Sequence, residues 1–206
     1  MARPTSPVLS VEKIARAALA LVDRTGELVV GRLARDLGVS ASSLYHHLPS
    51  KAAIVEAVRA EVFRAMPRPP EGVLDGTADR AEGEAALRAL LRAYRDCFAA
   101  HPRVIGLLTS HTVSAPEVLA VYDDLTATLL AAGVRESRLL DVVTVLDSFV
   151  IGSALDLAAP EEVWDAERAG HPALAAALRA APRGRQRADL AFDAGVDLLV
   201  GGLVRG

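Results

Sequence analysis

The chain has 206 residues, 51% of them apolar, and its 26 acidic side chains against 23 basic ones leave a formal net charge of -3. That length and apolar content allow a substantial core in one or two domains and exclude a chain disordered throughout. A single cysteine, Cys97, excludes an intrachain disulfide, and Asp147, Asp156 and Asp197 interrupt the longest apolar stretches, which argues against a bilayer span. The opening MARPTSPVLS lacks the apolar segment of a signal peptide, so the expected location is the cytoplasm. The charge is unevenly spread: residues 1–66 carry nine Arg or Lys against six Asp or Glu, and residues 67–206 carry fourteen against twenty. A basic front and an acidic rear fit an N-terminal module that meets an anion.

Apolar residues recur at three and four along nearly the whole chain, and no run of β-branched residues has the period of two that a strand needs. The fold class predicted is all-α. Residues 1–9 precede any helical pattern and are expected as a flexible arm. Ser10 is placed to cap a helix with Ile14, Ala17, Ala18, Leu21 and Val22 on one face, which Gly26 stops. Leu33 and Leu37 mark a short second helix ended by Gly38, a third runs from Ala41 to Leu48 before Pro49, and Ser50 caps a fourth carrying Ile54, Val58 and Val62. These elements define a first domain over 10–66. The stretch PRPPEGVLDGTADRAEG, Pro67–Gly83, is rich in proline and glycine and reads as a connector. A second domain over 84–206 is expected to hold helices near 84–100, 103–110, 116–132, 136–158, 173–181 and 187–204.

The segment GVSASSLYHHLPSK, Gly38–Lys51, gathers one tyrosine and two histidines in a chain that is 4% aromatic and has five histidines. At 100° per residue, Leu44 and Leu48 share one side of the third helix, Ser42, Ser43, Tyr45 and His46 project from the other, and His47 sits at the border. With Leu33 and Leu37 turned inward on the preceding helix, Ala34 small and Gly38 able to take a positive φ, this is a helix-turn-helix pattern. Its second helix enters the DNA major groove, where Tyr45 and His47 suit backbone contacts and Ser42, Ser43 and His46 suit base edges. Lys51 falls at the start of the fourth helix, where its charge and the N-terminal N–H groups together suit a phosphate. The competing reading is a solvated surface helix with no ligand. A metal at His46 and His47 is disfavoured because adjacent helical residues point about 100° apart.

The stretch LARDLGVSASSLYHHLPSKAAIVEAV resembles the DNA-binding domain of the TetR family of transcriptional repressors, whose usual signature is a turn, a Leu-Tyr-x-His segment and a lysine at the next helix start. The likeness covers about Ser10 to Phe63. It implies a three-helix reading domain, double-stranded operator DNA as partner, and DNA-facing positions at Ala41, Ser42, Ser43, Tyr45, His46, His47 and Lys51. The second helix opens on VVG, Val29–Gly31, so Arg32 is the residue there suited to a phosphate.

In the rear, Asp189, Asp193 and Asp197 form one ridge at spacing four, with apolar residues around the rest of that helix, and Val142 to Ile151 nearly encircle another. Helices so apolar must be covered on both sides. Either a second copy covers them in a two-fold four-helix bundle, with Leu146, Val150, Val196, Leu199 and Leu203 at the interface, or a monomer buries both centrally. This region is similar to the tetracycline-repressor type of C-terminal domain. That resemblance implies a homodimer and a pocket for an unknown small-molecule effector, with Tyr94, Cys97, Phe98, Leu107, His111, Tyr122 and Phe149 as its candidate lining. Cys97 and His101 stand at i and i+4, but His101 before Pro102 is more simply a helix-end residue that offsets the dipole. No H-E-x-x-H, phosphate-cradling glycine loop or recognisable nucleophile is present, so no catalytic, metal or cofactor site is expected. The reading is a DNA-binding repressor released by a ligand; the alternative is a helical small-molecule-binding protein or enzyme without DNA binding.

Overall fold

The computed structural model describes residues 9–165 and 170–203, and all regular structure among them is helical. Apart from Leu9, the expected arm over 1–9 lies outside the described residues, as does the side chain of Leu203. Among the described residues no helix is long and apolar enough to cross a membrane. The chain forms two compact units, one from the residues up to Met66 together with His101–Asp123, the other from Pro67–Ala100 together with the residues from Asp124 onward.

The first unit holds α1 (Val11–Thr25), α2 (Val30–Asp36), α3 (Ala41–His47) and α4 (Lys51–Phe63), then a 3₁₀ turn (Pro102–Val104), α7 (Ile105–Thr109) and the first half of α8 (Pro116–Ala131). Three serines start three of these helices: Ser10 accepts from Lys13 N at 3.2 Å, Ser40 from Ser43 N at 3.1 Å and Ser50 from Ala53 N at 3.0 Å. Ile14, Ala18, Leu21 and Val22 of α1 meet Ile54, Val55, Val58 and Val62 of α4, and all are buried. Arg103 donates to the carbonyl oxygens of Asp23 and Arg24 at the end of α1, at 3.2 and 2.9 Å, and compensates the carbonyl end of that helix.

One buried ion pair organises the other side of α4. Arg59 Nε donates to Glu56 Oε1 at 2.9 Å, one turn away. The same guanidinium donates through Nη2 to the carbonyl oxygens of Leu108 and His111 at 2.8 and 2.9 Å, while Glu56 Oε2 accepts from the N–H groups of Ser114 and Ala115 at 2.5 and 2.8 Å. The cation thus caps the carbonyl end of α7 and the anion meets the N–H end leading into α8, each where the helix dipole favours it. Burial pushes the Glu56 carboxyl up, but these N–H donors and Arg59 outweigh it and hold the group below its ordinary range.

The second unit contains α5 (Glu71–Leu74), α6 (Arg80–Ala99), the rest of α8, a 3₁₀ turn (Glu136–Arg138), α9 (Leu139–Leu157), α10 (Pro172–Ala180) and α11 (Gly184–Leu203). The stretch read as a connector over 67–83 differs from that expectation: it includes α5 and the first turn of α6. The reason is a reciprocal cap, in which Asp79 Oδ1 accepts from Glu82 N at 2.9 Å and Glu82 Oε2 from Asp79 N at 2.8 Å. Gly83 then lets α6 meet the end of α8, since a Cβ there would stand 2.6 Å from Ala131 O. Helix α6 packs on α9 and α11. Between α6 and α11 runs a ladder of ion pairs, Arg88–Asp197, Arg92–Asp193 and Arg95–Asp189, which explains the acidic ridge seen in the sequence. Arg95 is 2% exposed, its guanidinium lies 4.2 Å from the Phe192 ring centroid, and Phe192 in turn stacks on Phe149 at 5.5 Å.

Candidate nucleic-acid interface

The turn between α2 and α3 is closed by backbone bonds from Gly38 N to Arg35 O at 3.1 Å and from Val39 N to Ala34 O at 3.0 Å. These bonds require Gly38 at φ 68°, a left-handed conformation that costs glycine nothing. Leu44 and Leu48 anchor α3 from beneath, fully or nearly fully buried beside Leu33 and Ala34 in the same core. Because α3 has only one apolar side, burying it fixes which residues face outward. Ala41, Ser42, Tyr45, His46, His47 and Lys51 are all exposed, and Ser43 is half-buried. Tyr45, at 41% exposure, is the only outward aromatic of this helix besides the two histidines, whose rings meet edge to face at 5.7 Å.

A groove of about 560 Å³ runs along this face, lined by Leu9, Val39, Ser42, Ser43, His46 and His47. The hydroxyls of Ser42 and Ser43 both lie 2.8 Å from Ser40 Oγ, so the helix cap holds them in a fixed orientation. Lys51 is the first residue of α4. It is exposed, and a cationic side chain at the N–H end of a helix suits one phosphate oxygen.

The structure separates the residues named for an effector pocket. Tyr94, Cys97, Phe98 and Phe149 belong to the second unit, and Leu107, His111 and Tyr122 to the first. Tyr94 and Phe98 are buried together with ring centroids 5.4 Å apart, and the Tyr94 hydroxyl donates to Asp147 Oδ1 at 2.8 Å. Burial, with the Asp96 carboxylate nearby, pushes the Cys97 thiol up, which leaves it an inert core group. His111 is half-buried with Nδ1 3.0 Å from Leu107 O. His101 Nδ1 stands 2.8 Å from Asp23 Oδ2, so its imidazole is engaged by a carboxylate near the end of α1.

Four of the residues named for a dimer interface can be placed. Leu146, Val150 and Val196 are buried within the second unit, and Leu199 is half-buried. Encircling apolar patterns carry no sign of which side packs on the chain's own core. Here that side faces α6, and the uncovered side carries Leu140 at 82% exposure, Val145 and Leu155 on α9, with Leu190 and Leu198, at 78%, on α11. Sequence reasoning also missed Glu56 and Arg59, two ordinary charges on a helix whose partners lie about fifty residues downstream. A signal for the ladder is present in the sequence: Arg88, Arg92 and Arg95 recur at four and three, so they share a helix face as the aspartates at spacing four do.

Residues 79–205 match the family model described as the tetracyclin repressor-like, C-terminal domain. The chain is 32% identical over 180 residues to an HTH-type transcriptional regulator of Saccharopolyspora erythraea, covering 85% of this chain and 72% of that protein. It is 24% identical over 156 residues to the HTH-type transcriptional repressor DrrR1 of Streptomyces coeruleorubidus, covering 74% of this chain and 55% of that protein. In fold it is similar to the TetR family protein ActR of Streptomyces coelicolor, solved in complex with (S)-DNPA, with a TM-score of 0.73 at 19% identity over 96% of this chain and 98% of that one. With a matching C-terminal domain over more than half its length, a regulator as relative and a helix-turn-helix whose outer face is polar and uncovered, the chain belongs to the TetR family of transcriptional regulators.

Proposed function

We propose that the protein is a homodimeric repressor that binds double-stranded operator DNA through α3 and Lys51 and leaves it when a small molecule occupies the C-terminal domain. The observation that carries the DNA reading is the outer face of α3: a polar, uncovered row from Ala41 to His47 held rigid by Leu44, Leu48 and the Ser40 cap, with Lys51 at the next helix start. Rigid presentation matters because base readout needs donors and acceptors placed to within hydrogen-bond geometry. The effector reading rests on the family and on the ligand carried by ActR. Tyr94, Cys97, Phe98 and Phe149, all of the second unit, are the proposed lining. The dimer reading rests on the uncovered apolar sides of α9 and α11, where Ser148, Gly152, Ala191, Ala194 and Gly202 are also exposed and small enough for close helix approach. Such a protein works in the cytoplasm and needs no catalytic residue.

Fluorescence anisotropy with a duplex from the DNA flanking its own gene, beside an unrelated duplex of equal length, tests the reading. The expected result is tighter binding to the first duplex, with log affinity falling linearly as log salt rises. Equal affinity for both duplexes at every salt concentration overturns it.

A further inference from the structure

Ser40 stands just before α3 and is its N-cap. Its Oγ accepts from Ser43 N at 3.1 Å and lies 2.8 Å from both Ser42 Oγ and Ser43 Oγ. A hydroxyl has one proton and two lone pairs. The Ser43 N–H takes one of those lone pairs, so Ser40 has one proton and one lone pair left for two hydroxyl neighbours. It cannot donate to both or accept from both. One of the pair therefore donates its proton to Ser40 and has only lone pairs to offer outward, while the other accepts the Ser40 proton and keeps its own free to donate. Exchange between the two settings turns three hydroxyl protons and moves no heavy atom.

That count sets what this part of α3 shows a base. Ser42 is exposed and Ser43 half-buried, and because both hydroxyl oxygens sit beside one atom they are close enough to meet a single base. Among the four bases only adenine offers an acceptor, N7, beside a donor, N6–H, on its major-groove edge; guanine offers two acceptors, cytosine one donor and thymine one acceptor. We infer that Ser40 is a positioning residue for sequence readout: its one proton and one free lone pair force Ser42 and Ser43 to present one donor and one acceptor, a pair matched to adenine. The inference rests on the reading of α3 as the DNA-facing helix. A serine that only capped the helix would need no more than its bond to Ser43 N, which Asp makes as well as Ser does. An ionised carboxylate differs in having no proton, so at this position it accepts from both serines and leaves them acceptors only.

The full chain first selects its tightest duplex from a randomised pool. Each adenine of that duplex is then replaced in turn by 7-deazaadenine, which keeps N6–H and lacks the N7 acceptor, and anisotropy reads the affinity. At one adenine the parent protein is expected to lose about fivefold, as loss of one neutral hydrogen bond does. Ser40→Asp is expected to lose less than twofold at that adenine, beside a weakening by its charge that is equal for every duplex. Ser40→Thr, which keeps a hydroxyl, should behave as the parent. Ser42→Ala and Ser43→Ala together, with the cap intact, should abolish the sensitivity at that adenine. A parent indifferent to 7-deazaadenine throughout, a Ser40→Asp protein as sensitive as the parent at every adenine, or a double alanine variant that keeps the sensitivity overturns the proposal while the operator reading stands. If no duplex is selected, the operator reading fails and the proposal with it.

Discussion

Glu56 and Arg59 are each less than a tenth exposed, so neither can lose its partner cheaply. Glu56→Gln keeps the side-chain shape but leaves Arg59 as an uncompensated buried cation, and is expected to cost about 3 kcal/mol at pH 7. The folded-state carboxyl titrates below its ordinary value of 4.5, so its contribution is present above that value and lost as pH falls through the lower folded value. Urea melts of the two proteins should therefore differ most at pH 7 and converge toward pH 3; a gap that widens in acid contradicts this account. On α3 the roles divide by chemistry. Lys51→Ala should weaken binding to every duplex alike and lower the salt slope by about one. His46→Ala should instead change which bases are preferred, by about 1 to 3 kcal/mol per affected base pair. Anisotropy titrations over salt and over single-base operator variants separate the two.

At the scale of elements, the α6–α11 ladder shows why like-looking ion pairs are unequal. Arg92 and Asp193 are both well exposed, so Asp193→Asn should cost no more than about 1 kcal/mol. Arg95 is buried, and among the described residues its Nε and Nη1 find no hydrogen bond, so Asp189 at 2.7 Å carries most of the compensation, with the Phe192 face and the more distant Asp96 carboxylate at 3.5 Å beside it. Asp189→Asn should cost about 3 kcal/mol. Thermal melts of both variants measure the difference; equal losses would mean that burial does not set the value of these pairs. The same logic explains Gly195, where a Cβ would run into the Phe149 ring, so close passage of α11 over α9 depends on having no side chain there.

For the whole molecule, assembly and regulation are the open quantities. A charge at Leu198, the most exposed apolar residue of α11 among the described side chains, should break the proposed dimer while leaving the fold intact, because no described residue of its own unit covers it. Sedimentation of Leu198→Glu beside the parent protein checks this, and a single-chain mass for the parent itself would remove the dimer reading. Reciprocity constrains the effector. A ligand that lowers operator affinity a hundredfold must bind the DNA-free protein more tightly by about 2.7 kcal/mol, and operator must weaken that ligand by the same factor. Calorimetry with and without operator measures both sides, and a ligand of equal affinity in the two states is no inducer.

The sequence by itself determined most of the helices, the caps at Ser10 and Ser50, the stops at Gly26 and Gly38, and the outer face of α3. These are local matters: a helix has a fixed period, a cap acts within three residues, and burying Leu44 and Leu48 leaves only one side of a seven-residue helix to face out. The Asp79–Glu82 cap was equally local and was passed over because proline and glycine around it read as a connector. Only the tertiary structure decided which side of α9 and α11 is core, since an apolar pattern on all sides contains no direction until α6 is packed against one of them. It alone joined Glu56 and Arg59 to the ends of α7 and α8. A charge on a helix reads as a solvated face until a distant segment removes its water, and that removal depends on contacts between residues far apart in the chain, which no local spacing encodes.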